Sequence, residues 1–159
     1  MESENKTKTG SKKLEEKFEA YNQQIDETSN WILNQMKSTD GNWEMPWHQG
    51  LPQAINAKTG KFYGGNNLMI LWKKCLEKGY QRNKWATFYQ WASVGAKMRR
   101  GEKGTLICIA IPRPNVPKKQ VGQLNLFDVY DPKEFKASNK YFKFRFRYVY
   151  NSAQVNNYF

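Results

Sequence analysis

The chain has 159 residues and a formal net charge of +12, and it carries six Trp, nine Tyr and nine Phe. That length suits one domain, with or without a tail, and the aromatic content argues for a folded core despite a mean hydropathy of −0.88. No apolar run approaches the ~20 residues that cross a bilayer, and Cys75 and Cys108 sit in apolar runs as reduced core thiols, which disfavours a membrane-inserted or secreted protein and suits a cytoplasmic one.

Residues 1–13 are mainly Lys, Thr, Ser and Glu without periodicity, and are expected to form a disordered arm ahead of a domain over 14–155. From Leu14, apolar side chains recur at Phe18, Tyr21, Ile25, Ile32 and Met36, a helical spacing. Glu15, Glu16 and Glu19 suit the positive end of that helix, and Asp40-Gly41-Asn42 is a turn that ends it near Ser38. Trp43 to Pro52 reads as an extended segment packed on the core. Ala54–Asn56 and Lys61–Tyr63 read as short strands about the turn Ala57–Gly60. Asn66 or Asn67 then caps a helix over Leu68–Lys78 that stops at Gly79.

Trp85 to Ile111 follows after a loop through Lys84. Thr87 and Gln90 form a capping box, and Gly95 suits a left-handed helix end. Ala96–Arg100 and Thr105–Ile111 read as a hairpin about Gly101–Gly104. Leu106–Ile111 is apolar on both faces and is expected in the middle of a sheet. Pro112, Pro114, Pro117 and Gly122 mark a long irregular insertion over 112–140, expected to be mobile. The last element, Tyr141–Tyr150, puts Phe142, Phe144, Phe146, Tyr148 and Tyr150 on one face. Tyr141, Lys143, Arg145, Arg147 and Val149 take the other. Residues 156–159 are a tail. The expected fold is α+β: a small, mostly antiparallel sheet packed against about three helices, with the irregular insertion before the last strand.

No catalytic site assembles from these residues. His48 is the only histidine, Cys75 and Cys108 lack ligand spacing, and no HExxH occurs, so neither a metal nor another cofactor is expected. Thr59-Gly60-Lys61 lacks the upstream glycine of a phosphate loop and has Phe62 where a Ser or Thr would hold magnesium. His48 beside Glu44 or Asp40, next to two tryptophans, reads as structural.

The charge is unevenly spread. Residues 1–57 hold six Lys/Arg against nine Asp/Glu, whereas residues 58–159 hold twenty against five. The second part therefore suits a polyanion, nucleic acid ahead of an anionic membrane surface. Cations interleaved with aromatics match what a single strand requires: Lys and Arg for phosphates, flat side chains for unpaired bases. Three clusters have that composition. Lys58, Lys61 and Tyr63 stand with the Asn-rich loop that includes Asn67; Lys97, Arg99, Arg100 and Lys103 lie on the expected hairpin; Tyr141, Lys143, Arg145 and Arg147 share one strand face. The hairpin is the strongest of the three, since Lys97 and Arg99 share a face while Met98 anchors the other. Trp85 is expected to pack beneath it, and Tyr63 and Tyr141 are the first candidates to stack bases.

The order of motifs adds a resemblance. Trp43…Pro46-Trp47, then Pro52…Asn56-x-x-Thr59-Gly60-Lys61-x-Tyr63-x-Gly65-x-Asn67, is followed by Leu71-Trp72, Gly79-Tyr80 and Trp85-x-Thr87-x-x-Gln90. Gly95…Arg100-Gly101-Glu102-Lys103-Gly104 and Val149-Tyr150-Asn151-x-x-Gln154 complete it. This order, over roughly residues 28–155, resembles the N-terminal domain of ArdC-type antirestriction proteins. Asn66, where the family more often has an apolar residue, and Tyr150, where Phe is usual, depart from it. The resemblance implies a non-enzymatic single-stranded-DNA-binding domain of plasmids and other mobile elements, protecting transferred DNA from restriction during conjugation. It also implies possible fusion to, or association with, a metallopeptidase or primase domain; the metallopeptidase half with HExxH is absent from these residues. The alternatives are a protein that occludes a restriction or defence component, and an accessory domain of a larger enzyme.

Overall fold

The computed structural model describes residues 2–40, 42–45, 48, 50–114 and 142–158, with side chains from Lys12 onward in the first helix. That helix, α1, runs Glu2–Ser38. It covers the stretch 2–13 expected as a disordered arm: no proline interrupts it, and Glu and Lys are good helix formers. Phe18, Tyr21, Ile25 and Thr28 form its buried stripe, while Leu33 and Met36 further along are exposed. It ends where the turn signal placed it: the Ser38 and Thr39 hydroxyls donate to the Gln35 carbonyl at 2.9 and 3.0 Å, and Asp40 adopts a positive φ.

Strand β1 (Ile55–Asn56) is followed by helix α2 (Gly65–Lys78), strand β2 (Lys84–Thr87), helix α3 (Phe88–Ser93) and strand β3 (Lys97–Met98). Strands β4 (Thr105–Pro112) and β5 (Phe142–Asn151), a 3₁₀ turn at Ser152–Gln154 and strand β6 (Val155–Asn156) complete the order. Four strands form a mixed sheet in the order β1-β2-β5-β4, with β1 parallel to β2 and the other pairs antiparallel. The α+β expectation therefore holds, with three α-helices among the described residues.

The expected hairpin does not form. Strand β4 pairs along its whole length with β5, from Thr105 opposite Val149 to Pro112 opposite Phe142. Its other edge is occupied by side chains: Gln24 Nε2 donates to the Leu106 carbonyl at 2.7 Å, and Asn67 bonds both the carbonyl and the amide of Cys108 at 2.7 and 3.1 Å. Covering an edge in this way prevents it from adding a further strand. Strand β3 instead pairs with β6 in a separate two-stranded sheet, extended by the Arg99 amide donating to the Gln154 carbonyl at 3.0 Å. Leu106–Ile111 consequently lies on an edge strand rather than in the middle of the sheet. The segment 115–140 of the expected insertion and Tyr141 lie outside the described residues; Pro112 itself closes β4.

Helix α2 starts earlier than expected, from Gly64 without a side-chain cap, and stops at Gly79 in the left-handed conformation (φ 65°). Helix α3 has the expected capping box, with the Gln90 amide donating to Thr87 Oγ1 at 3.3 Å and the Thr87 amide to Gln90 Oε1 at 3.0 Å. Gly95, with φ 80°, follows its end.

Packing falls into three clusters. Phe18, Tyr21 and Ile25 of α1 meet Ile70, Leu106, Phe142, Phe144 and Phe146. Leu71 and Cys75 of α2 meet Ala54, Trp85, Ile107 and Val149. Trp91 and Ala96 meet Ala86 and Val155. These clusters explain where β5 departs from its expected alternation. Phe142, Phe144 and Phe146 face the α1 cluster, but Tyr148 is 49% exposed while Val149 is completely buried. The cover changes from one face of the strand to the other after Arg147, so the buried face changes with it. Burial pushes the Cys75 thiol up to about 11 and the Cys108 thiol up to about 12, so both are protonated near neutral pH.

Candidate nucleic-acid interface

The first cluster is a turn tied to its surroundings through Asn56. The Asn56 carboxamide oxygen accepts from the Lys58 and Thr59 amides at 3.1 and 3.0 Å, and Gly60 closes the turn with φ 70°. Lys58 and Lys61 project from it as exposed side chains. Tyr63 does not: it packs against the Trp85 cluster, and its hydroxyl meets Asn56 Nδ2 at 2.9 Å. Burial raises its hydroxyl pKa, an effect that the Asn56 hydrogen bond opposes. Tyr63 is therefore a packing residue rather than an open platform. Asn67 is structural as well, since its amide holds the edge of β4 and its oxygen also accepts from the Tyr21 hydroxyl at 2.8 Å.

Lys97, Arg99, Arg100 and Lys103 are all exposed, on β3 and the loop after it. The loop is held by Gln154, whose side chain donates to Glu102 Oε2 at 2.8 Å and to the Lys103 carbonyl at 2.9 Å. Gly104 lies so close to β5 that a Cβ there would stand 2.9 Å from Tyr148 Cβ and from the Tyr150 ring. Beside this loop is an open cleft of about 730 Å³, bordered by Lys74, Lys78, Tyr80 and Lys103. Burial, and then the neighbouring Glu102, raise the Tyr80 hydroxyl pKa.

The third cluster has a different setting. The register places Lys143 opposite Ile111, Arg145 opposite Ile109 and Arg147 opposite Ile107, and directly opposed residues share a sheet face. Lys143, Arg145 and Arg147 are exposed, as are Ile109 (42%) and Ile111 (37%), so this end of the face is uncovered. No ion pair between described residues involves these three cations. The Gly101–Gly104 loop and Lys143 stand at opposite ends of the β4–β5 ladder, about 20 Å apart at ~3.3 Å per residue. The structure does not bring the second and third clusters together.

It does bring the first towards the third. Strand β2 leaves the sheet at Thr87, paired with Val149, while β5 continues to Tyr148 and Arg147. The chain that turns away there is the first turn of α3, with Phe88 (52% exposed) and Tyr89 (82% exposed). Asn56 Nδ2 donates to Gln90 Oε1 at 3.1 Å and so joins that turn to the one carrying Lys58 and Lys61. Phe62, 65% exposed, adjoins Lys61. Sequence reasoning missed Phe62, Phe88 and Tyr89. A signal for Tyr89 was present: residues two apart on a helix lie about 200° round the axis, so burying Trp91 turns Tyr89 outward. Trp85, by contrast, is completely buried as a packing residue, though in the cluster with Leu71, Cys75, Ile107 and Val149 rather than beneath a hairpin.

Among the described residues no helix is long and apolar enough to cross a membrane, and no three His, Cys, Asp or Glu side chains gather as a metal-binding group.

A family model described as the N-terminal domain of anti-restriction factor ArdC matches residues 22–149. DNA primase TraC of Escherichia coli is 38% identical over 79 residues, which cover 48% of this chain and 7% of that protein. The uncharacterized protein y4eC of Sinorhizobium fredii is 30% identical over 79 residues, covering 48% of this chain and 26% of its own length. The Mn(II)-bound crystal structure of the antirestriction ArdC protein from plasmid R388 shares the fold, with a TM-score of 0.51 at 20% identity over 86% of this chain and 40% of that one. The chain thus matches less than half the length of each of these proteins. With motifs running from Asn56 to Gln154 in the family's order and a family model matched over most of its length, the chain belongs to the family of ArdC N-terminal domains.

Proposed function

We propose that the domain binds single-stranded DNA without sequence preference, and that this binding serves an antirestriction role for DNA transferred by a mobile element. The observation that carries the reading is the open face of β5. Lys143, Arg145 and Arg147 stand opposite isoleucines on β4, with no carboxylate in the ladder to neutralise them. A row of like charges fixed on a strand repels itself, and a polyanion relieves that repulsion while releasing its own counterions. The exposed aromatics Phe62, Phe88 and Tyr89 favour a single strand over a duplex, whose bases are already stacked. Phosphate contacts carry no base information, which suits binding that tolerates any sequence.

The reading as an accessory domain is kept beside it, because the relatives are so much longer than the match. Under that reading the domain delivers single-stranded DNA to a primase or metallopeptidase region of a larger protein. Both readings share the same ligand.

The test is a competition series by fluorescence anisotropy, with single-stranded DNA, the corresponding duplex and the corresponding RNA as competitors at fixed salt. Single-stranded DNA of unrelated sequences is expected to compete equally, and better than duplex. Preference for duplex overturns the proposal.

A further inference from the structure

Building on the single-strand reading, we infer that Phe88 and Tyr89 form a stacking site for unpaired nucleobases, supported by Phe62 across the Asn56–Gln90 hydrogen bond. Exposure sets these residues apart. The exposed aromatics among the described residues are Phe62, Phe88, Tyr89 and Tyr148, and two of the four are consecutive on the first turn of one short helix. Leaving flat apolar rings in water forgoes the stabilisation that burying them would bring.

Their position is fixed. Thr87 is both the last residue of β2 and the cap of α3, so the sheet sets where the helix begins. Trp91 pins the other side of the helix: it is 1% exposed, and its indole Nε1 donates to the Tyr150 carbonyl at 2.9 Å. The Phe88 and Tyr89 ring centroids are 5.8 Å apart with the planes at 85°. Two rings at a right angle present a corner, in which a base stacks on one face with its edge towards the other ring.

The surroundings select the occupant. The segments that adjoin here, residues 55–63 and 84–93, contain no Asp or Glu and carry the exposed Lys58 and Lys61. An apolar protein partner gains nothing from such a rim, whereas a nucleic acid presents flat bases and anionic phosphates at alternating positions. Lys58 and Lys61 lie beyond the Asn56–Gln90 hydrogen bond, while Lys143, Arg145 and Arg147 lie farther along β5, on the face opposite the one on which Trp91 packs. The site thus reads base faces beside the phosphate contacts of Lys58 and Lys61. Stacking requires only a π-face, so it accepts any base.

The test uses the full chain and two probes of equal length, a mixed-sequence single-stranded DNA and an abasic deoxyribose-phosphate strand, at one salt concentration. The wild type is expected to bind the base-bearing strand more tightly. Tyr89→Ala is expected to lower that affinity by about 5- to 100-fold while leaving affinity for the abasic strand unchanged, and Phe88→Ala to act in the same direction. Tyr89→Phe keeps the ring and is expected to restore binding; a thermal melt superimposing on wild type reports intact folding. Equal loss on both probes, or no loss on either, overturns the stacking site while leaving the single-strand reading intact. A wild type that discriminates poorly between base-bearing and abasic strands, yet binds both, also overturns it. A wild type that binds neither strand overturns the single-strand reading itself.

Discussion

Two regions carry comparable positive charge and differ in what surrounds it. On β5, Lys143, Arg145 and Arg147 project from a regular strand, opposed by isoleucines, with no carboxylate in the ladder. Around β3, Lys97, Arg99, Arg100 and Lys103 flank a loop in which Glu102 is a hydrogen-bonded member, tied through Gln154 to the end of the chain. Charge density alone does not separate the two. The register does: it shows one row of cations fixed at strand spacing on an open face, and one set whose backbone is engaged in joining two sheets. On the proposed function, the β5 row is the better phosphate track, and the β3 loop acts as scaffold whose cations add to the overall field.

The largest effect expected on this contrast is on the scaffold beneath it. Trp85→Ala empties the cluster that holds Ile107 and Val149 against α2, and is expected to cost about 3–5 kcal/mol in denaturant unfolding, removing both regions together. Next, the triple change Lys143→Ala, Arg145→Ala, Arg147→Ala is expected to lower single-stranded DNA affinity on the order of 100-fold at low salt with an unchanged melting temperature. The matching triple change Lys97→Ala, Arg99→Ala, Arg100→Ala is expected to cost less than a tenth of that. A reversed ranking in the same anisotropy assay breaks the comparison. Smaller again, Gln154→Ala frees Glu102 and Lys103 and is expected to cost about 1–3 kcal/mol of stability, as a buried hydrogen-bonding side chain is lost. If that variant instead lost DNA affinity at full stability, the β3 loop would be a contact surface rather than scaffold.

The smallest effect concerns Glu77, which pairs with Lys73 and Lys74 at 3.0 and 3.2 Å. Partial burial raises its carboxyl pKa, but the two lysines outweigh this and hold it below the usual range. A depressed carboxyl stabilises the fold above its unfolded pKa, and that contribution fades as pH falls through the folded value. At this exposed site, Glu77→Gln is expected to change stability by about 1 kcal/mol or less near neutral pH, with the difference vanishing in acid. It is expected to leave affinity for single-stranded DNA unchanged.

Local signals in the chain were readable because they act over a few residues. The Thr87–Gln90 box, the Gly79 stop, the end of α1 and the first half of the β5 alternation are each set by neighbours in sequence. What escaped depends on partners far along the chain. Strands β2, β3 and β6, with four, two and two residues, are too short to show a period. The hairpin about Gly101–Gly104 was plausible locally, but the edge of β4 is claimed by Gln24 and Asn67, more than 40 residues upstream. The same long-range contact engages the Asn67 side chain at the β4 edge. Phe62 and Tyr63 are neighbours that face opposite ways, and only the fold decides that Tyr63 is the one turned inward.

The central claim, that β5 supplies the phosphate contacts, is tested most directly by the salt dependence of binding. For a single strand the logarithm of affinity falls against the logarithm of salt with a slope of about −0.7 per neutralised phosphate. The Lys143, Arg145, Arg147 triple alanine variant is therefore expected to have a slope shallower than wild type by about 2. A wild type and variant with the same slope would contradict the account, because the cations of β5 would then be neutralising no phosphates.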